Sequence, residues 1–258
     1  MRTLLILCSS IFISSFVNAQ LCRFEKSNGK ESATYFEAID WYKNLDKIST
    51  QVSVKEIGLS DAGYPLHLVL VNNDGKFDPV QWHRQNKAVV LINNGIHPGE
   101  PDGIDASMVL VRDIVSKKLK LPDNVALAFI PVYNIGGCLN RGSYSRANQN
   151  GPQEYGFRGN AQNLDLNRDF TKCDSKEARS FAQIFHFLNP DILIDNHVSD
   201  GADYQHTMTL LTSQYDKLGA TLGGWLRDKF EPQLYKGMAE KNWDMVPYVS
   251  FETAGPDR

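Results

Sequence analysis

The chain has 258 residues, of which 42% are hydrophobic, 22% charged and 10% aromatic, a composition that supports one large α/β domain with a substantial apolar core. Its formal net charge of -3 and the absence of any Lys/Arg run exclude a basic face for phosphate backbones, so no nucleic-acid partner is expected.

Residues 1–19 read as a secretory signal peptide. Arg2 precedes an apolar stretch from Leu4 to Val17, and Val17-Asn18-Ala19 forms a small-residue cleavage site. A transmembrane anchor is the competing reading. It is disfavoured because Ser9, Ser10, Ser14 and Ser15 interrupt the run, which falls short of the roughly 20 residues that span a bilayer. The expected location is secreted or periplasmic, with no membrane span once the leader is removed. Cys8 leaves with the leader, and Cys22, Cys138 and Cys173 remain. Three thiols permit at most one internal bridge, and they lack the short spacing of a structural zinc site, so they are read as small buried or free thiols.

In residues 20–50, Tyr35, Phe36, Ile39, Trp41, Tyr42 and Leu45 predict an N-terminal helical segment packed by its aromatic face. Two alternating segments in residues 52–73, separated by DAGYP, predict an edge hairpin. The pattern then becomes apolar strands alternating with helical stretches, the mark of parallel βαβ units. KAVVLINNGI (87–96) is a buried strand, residues 102–118 an amphipathic helix opened by Asp102, and VALAFIPVYN (125–134) the next strand. The polar stretch from Ile135 to Gln162 is too long for a simple connection and reads as a functional loop. Residues 175–189 are helical, and DILIDNH (191–197) is a third buried strand set off by Pro190. Residues 206–213 read as a further strand, 214–241 as mostly helical, and 246–258 as a strand-like run. The predicted fold class is α/β, with a mixed, mostly parallel central sheet and helices on both faces. Its domain layout is a leader (1–19), a helical segment (20–50) and a main domain (51–258).

The chemistry concentrates in NNGIHPGEPDG, where His97 and Glu100 follow a strand and precede a helix. Pro98, Gly99 and Pro101 keep this segment out of regular helix, and strand carboxyl ends are where open α/β sheets place their sites. A catalytic zinc takes three protein ligands, commonly two imidazoles and a carboxylate, and keeps an open position. His97 and Glu100 supply two, and His197, at the end of ILIDNHVSD, is the best third. Alone, a His-x-x-Glu would merely order a turn and a helix start; with His197 the metal reading prevails. His67, His83 and His186 read as structural, and His206 as a pocket residue at most.

With EYGFRGNAQNLDLNRDF (154–170) added, residues 55–215 resemble the zinc carboxypeptidase family, in the order His-x-x-Glu, Asn-Arg pair, distant single His. The resemblance implies one Zn2+ per chain held by His97, Glu100 and His197, a metallopeptidase activity and a peptide substrate. It implies further that Asn167 and Arg168 receive the substrate's terminal carboxylate, that Arg158 stabilises the oxyanion, and that Asp165 supports a metal-bound imidazole. Gly99 stands where digestive members carry another arginine. Hydrolysis also needs a general base; Glu252 in VSFETAG is the match within the chain. A complete fold of this type has sheet and helix beyond Arg258, so the domain is expected to be incomplete at its C-terminus, with the base either Glu252 or beyond it. Three functions stay open: a carboxypeptidase, an N-acyl amino acid deacylase related to aspartoacylase, and a zinc-binding module without turnover.

Overall fold

Thr34 opens the first long helix. Its hydroxyl accepts the Glu37 amide hydrogen at 3.3 Å while the Glu37 carboxylate accepts from the Thr34 amide at 2.9 Å, a reciprocal cap that satisfies donors the helix start leaves orphaned. The computed structural model describes residues 20–147, 149–198 and 205–248; the expected leader lies outside them. A short helix α1 (Arg23–Lys26) precedes α2 (Tyr35–Ile48). Tyr35, Ile39, Trp41, Tyr42 and Leu45 are buried as expected, whereas Phe36 is half exposed. The segment is tied to the body through α4 (Asp102–Val115): buried Asp105 accepts the Ala33 amide at 3.1 Å, and Arg112 meets Glu25 of α1 at 2.6 Å.

The strands are β1 (Val52–Leu59), β2 (Pro65–Val71), β3 (Ala88–Asn93), β4 (Val125–Ile130) and β5 (Ile192–Asp195). They form one sheet in the order β1-β2-β4-β3-β5. β1 pairs antiparallel with β2 and β2 with β4, while β4 pairs parallel with β3 and β3 with β5. Four strands therefore share one direction and β2 opposes them, so the sheet is mixed, as predicted. From Leu66 to Val71 every residue of β2 is buried, as is every residue of β4 from Ala126 on, which requires cover on both faces. Part of that cover is α6 (Lys176–Leu188), whose Ser180 hydroxyl donates to the Leu59 carbonyl at the end of β1. A one-turn helix α3 (Pro79–Arg84), capped by Asp78, leads into β3, and α5 (Ile135–Leu139) opens the long polar stretch.

Several elements stop earlier than the sequence pattern suggests, each for a local reason. β4 ends before Pro131, which has no amide to offer a ladder. The α4 helix stops where Lys117 turns left-handed at φ 61°, and α6 stops at Asn189, φ 45°, ahead of Pro190. One expectation is corrected. β5 is not a buried strand: among the described residues it lies at the sheet edge, paired with β3, and Leu193 and Ile194 are 43% and 41% exposed.

The chain divides into two compact units at residues 201/202, so the N-terminal helical segment belongs to the same unit as the sheet. The second unit contains β6 (Met208–Leu210) paired parallel with β7 (Met245–Pro247). Between them run a 3-10 turn (Tyr215–Leu218), α7 (Gly219–Trp225), a π-helical turn (Leu226–Phe230) and α8 (Glu231–Ala239). No helix among the described residues is long and apolar enough to cross a membrane. Cys22, Cys138 and Cys173 are free thiols, and burial pushes the first two up to about 11.

Candidate metal centre

β3 has β4 on one side and β5 on the other. The chain leaving β3 through α4 returns to one flank, and the chain leaving β4 through α6 returns to the opposite flank, so the segments after β3 and β5 border the same crevice. Asn93 and Asp195 are register partners at the two strand ends. Beyond them, Asn196 donates its backbone N–H to the Asn93 carbonyl at 3.0 Å and its side-chain amide to Asn94 Oδ1 at 2.8 Å, pinning one exit to the other.

Gly95, at φ +65°, turns the chain out of β3 into a conformation that favours glycine. The Glu100 amide then donates to the His97 carbonyl at 2.8 Å, and this turn brings both side chains together. His97 Nδ1 lies 3.1 Å from Glu100 Oε1, and His197 Nδ1 lies 2.9 Å from Glu100 Oε2. The two imidazole rings stand edge to face with centroids 5.1 Å apart. His97 and Glu100 are 2% and 3% exposed, while His197 remains open to solvent.

Each imidazole turns its other nitrogen to an aspartate. His97 Nε2 is 3.1 Å from Asp165 Oδ1, and His197 Nε2 is 3.2 Å from Asp195 Oδ2. Asp165 is held in turn by Arg158 Nε at 3.0 Å and by the Asn167 amide at 3.0 Å. Asp195 accepts from the Asn93 side-chain amide at 2.9 Å. A carboxylate on the far nitrogen fixes ring orientation and raises the basicity of the near one.

The charges follow. Burial alone would raise the Glu100 pKa, but hydrogen bonds from His197, His97 and the Val198 amide outweigh it and hold the carboxyl well below its ordinary range. Asp195 and then Glu100 raise His197 to about 9. Burial also opposes the charged form of Asp165, and its bonds to His97 and Arg158 bring it down. The donor set suits a divalent ion. The ligand atoms of His97, Glu100 and His197 lie within 4.8 Å of one another, and a tetrahedral zinc with ligands at about 2.1 Å would space them about 3.4 Å apart.

The other assigned residues lie as follows. Arg158 Nη1 stands 3.4 Å from His97 Nδ1, at the edge of the ligand group. Asn167 and Arg168 sit on the 3-10 turn Leu166–Arg168 that Asp165 caps; Arg168 is exposed and donates to the Asn167 carbonyl at 2.9 Å. Glu252 lies outside the described residues. His67 is buried beside the Tyr35 hydroxyl and Glu56, and His83 bonds the Leu188 carbonyl. His186 and His206 are exposed. Sequence reasoning missed Asp195, the Val198 amide and Arg146, whose Nη1 reaches Glu100 Oε1 at 2.8 Å. Asp195 had a signal, since positions two apart on an extended strand share a face. Arg146 had none.

Residues 38–190 match the sequence pattern of the zinc carboxypeptidase family. A curated relative, Carboxypeptidase 2 of Trichophyton rubrum, is 24% identical over 178 residues, 66% of this chain and 30% of that protein. Among solved structures, a metallo-carboxypeptidase from Burkholderia cenocepacia superposes with a TM-score of 0.59 at 18% identity, covering 84% of this chain and 54% of that one. A metallo-carboxypeptidase from Pseudomonas aeruginosa, in complex with (2-guanidinoethylmercapto)succinic acid, gives 0.54 at 15% identity, covering 87% and 53%. The chain spans about half the length of these solved structures and 30% of the curated relative.

Proposed function

Because the chain belongs to the zinc carboxypeptidase family, whose pattern covers more than half of it, we propose that it binds one zinc ion through His97, Glu100 and His197 and removes C-terminal residues from peptides. The observation that carries this reading is the paired geometry of the imidazoles: each faces Glu100 with Nδ1 and an aspartate with Nε2. A zinc ion there would supply Lewis acidity and an acidified water.

The chain's own groups divide the remaining work. Arg158, oriented by Asp165, puts a guanidinium beside the ligands, where negative charge accumulates on a scissile carbonyl oxygen. Arg168, with Asn167, offers the forked donor that grips a terminal carboxylate by two parallel hydrogen bonds, which a lysine cannot do. Glu252 is proposed as the general base. We also infer export, supported by Arg2, the apolar run and Val17-Asn18-Ala19; amino-terminal sequencing of the mature protein should then begin at Gln20.

Metal analysis of the purified protein tests the centre: about one zinc per chain in the parent, and little in His97→Ala and His197→Ala. Release of free C-terminal amino acids from a peptide library, abolished by a chelator and restored by zinc, tests the activity. Zinc binding without such release would sink the carboxypeptidase reading and leave the metal site standing. Glu252→Gln should retain zinc and lose roughly 100-fold or more in kcat; an unchanged kcat would remove it from the base role.

A further inference from the structure

We propose that Arg146 is a positioning residue for Glu100, holding the carboxylate in the orientation that metal binding needs; the proposal rests on the metal-site reading above. Glu100 is almost fully buried and takes a hydrogen bond on each oxygen from outside the histidine pair. The Val198 amide donates to Oε2 at 3.0 Å, and Arg146 Nη1 donates to Oε1 at 2.8 Å. Of these two donors only the guanidinium carries a charge, and it is always protonated, so it stays in place whatever the histidines do.

The arginine is built in. Its side chain is 12% exposed, and its stem crosses directly over Gly99, where an added Cβ would come within 2.8 Å of Arg146 Cδ and 2.9 Å of the Gly156 carbonyl. A buried tyrosine clamps its backbone: the Tyr155 hydroxyl accepts the Arg146 amide at 3.4 Å and donates to the Arg146 carbonyl at 3.2 Å. Tyr155 is fixed by its bridge to Gly142, and Gln149 ties the same loop to the Gly99 carbonyl at 2.8 Å. Tyr155 and Gln149 thus help deliver the Arg146 cation to one oxygen of the central carboxylate. With that oxygen held from outside, the carboxylate cannot rotate away from the two Nδ1 atoms.

Positioning and simple charge make opposite forecasts. If Arg146 acted only as a nearby positive charge, removing it would tighten metal binding; if it orients the ligand, removing it weakens binding by about 10- to 100-fold, the usual cost of losing such a partner. The test is zinc affinity by competition with a chelator, together with the visible spectrum of the cobalt-substituted protein, for the parent, Arg146→Met, Arg146→Lys and Tyr155→Phe. The expected order of affinity is parent, then Lys, then Met, with the cobalt spectrum altered in Arg146→Met and partly restored in Arg146→Lys. Tyr155→Phe, which keeps the arginine and loosens its loop, should also weaken binding, and it carries the test with Arg146→Lys if Arg146→Met does not fold. Affinities within threefold of the parent in these variants, or tighter binding in Arg146→Met, overturn the proposal while the metal site stands. A parent that binds no zinc overturns both.

Discussion

Asp195 and Asp165 occupy equivalent places on the two imidazoles, yet from the sequence only Asp165 is named. The family resemblance implies a role for Asp165, two residues before the Asn167-Arg168 pair; no resemblance points to Asp195, whose only signal is its spacing two residues before His197 in DILIDNH. The structure makes them equals, at 3.1 and 3.2 Å from the Nε2 atoms. Asp195→Asn should therefore lower zinc affinity by about 10- to 100-fold, comparably to Asp165→Asn, measured by chelator competition. An affinity lost only in Asp165→Asn would show that the His197 side needs no such support. His67 and His83, read as structural from strand and helix positions, make local packing contacts: one is buried against Tyr35 and Glu56, the other bonds the Leu188 carbonyl. Burying an imidazole needs only one or two polar neighbours, which any packed element can offer.

The helices show which local signals suffice. Thr34 and Glu37 form a reciprocal cap on α2, and Thr34→Ala should destabilise the protein by about 1 kcal/mol, visible as a lowered thermal midpoint. The attachment of that segment to α4 carries a pH dependence. Burial pushes the Asp105 carboxyl up to about 7 from its ordinary 3.8, against the opposing bond from the Ala33 amide. The folded protein then keeps a proton that the unfolded chain releases. Stability from the neutral carboxyl is full below about pH 4 and is lost as pH rises through about 7. Asp105→Asn retains an oxygen for the Ala33 amide and removes the charge. Its unfolding free energy, from urea titrations at about pH 5 and about pH 8, should vary less with pH than the parent's and exceed it at the higher value. An equal slope in the two proteins would rule out Asp105 as the source. Strand lengths were less legible than strand existence, because the apolar run 125–134 continues past Pro131 while the hydrogen-bond ladder cannot.

At the scale of the molecule, burial is uneven. The strands β2, β3 and β4 carry the fully buried residues of the sheet, whereas among the described residues of the second unit Leu211, Leu222, Trp225 and Trp243 are exposed and, of the larger apolar side chains, Leu226 alone is buried. Local opening is easiest where few apolar contacts resist it. Amide hydrogens in residues 208–247 should exchange well before those of residues 66–71 and 126–130, read by mass spectrometry; uniform protection across both would contradict this.

The sequence by itself determined the residue types and their order: a buried-strand pattern, a loop kept out of helix by two prolines, two histidines and a glutamate with the right donor chemistry, and an Asn-Arg pair between them. These are readable because periodicity and donor chemistry are properties of a few consecutive residues. Only the tertiary structure decided that β5 returns to the flank of β3 opposite β4, that Asn93 registers with Asp195, and that Arg146 crosses Gly99 to reach Glu100. Those outcomes depend on pairing between segments tens of residues apart, where strand order and register choose which side chains meet.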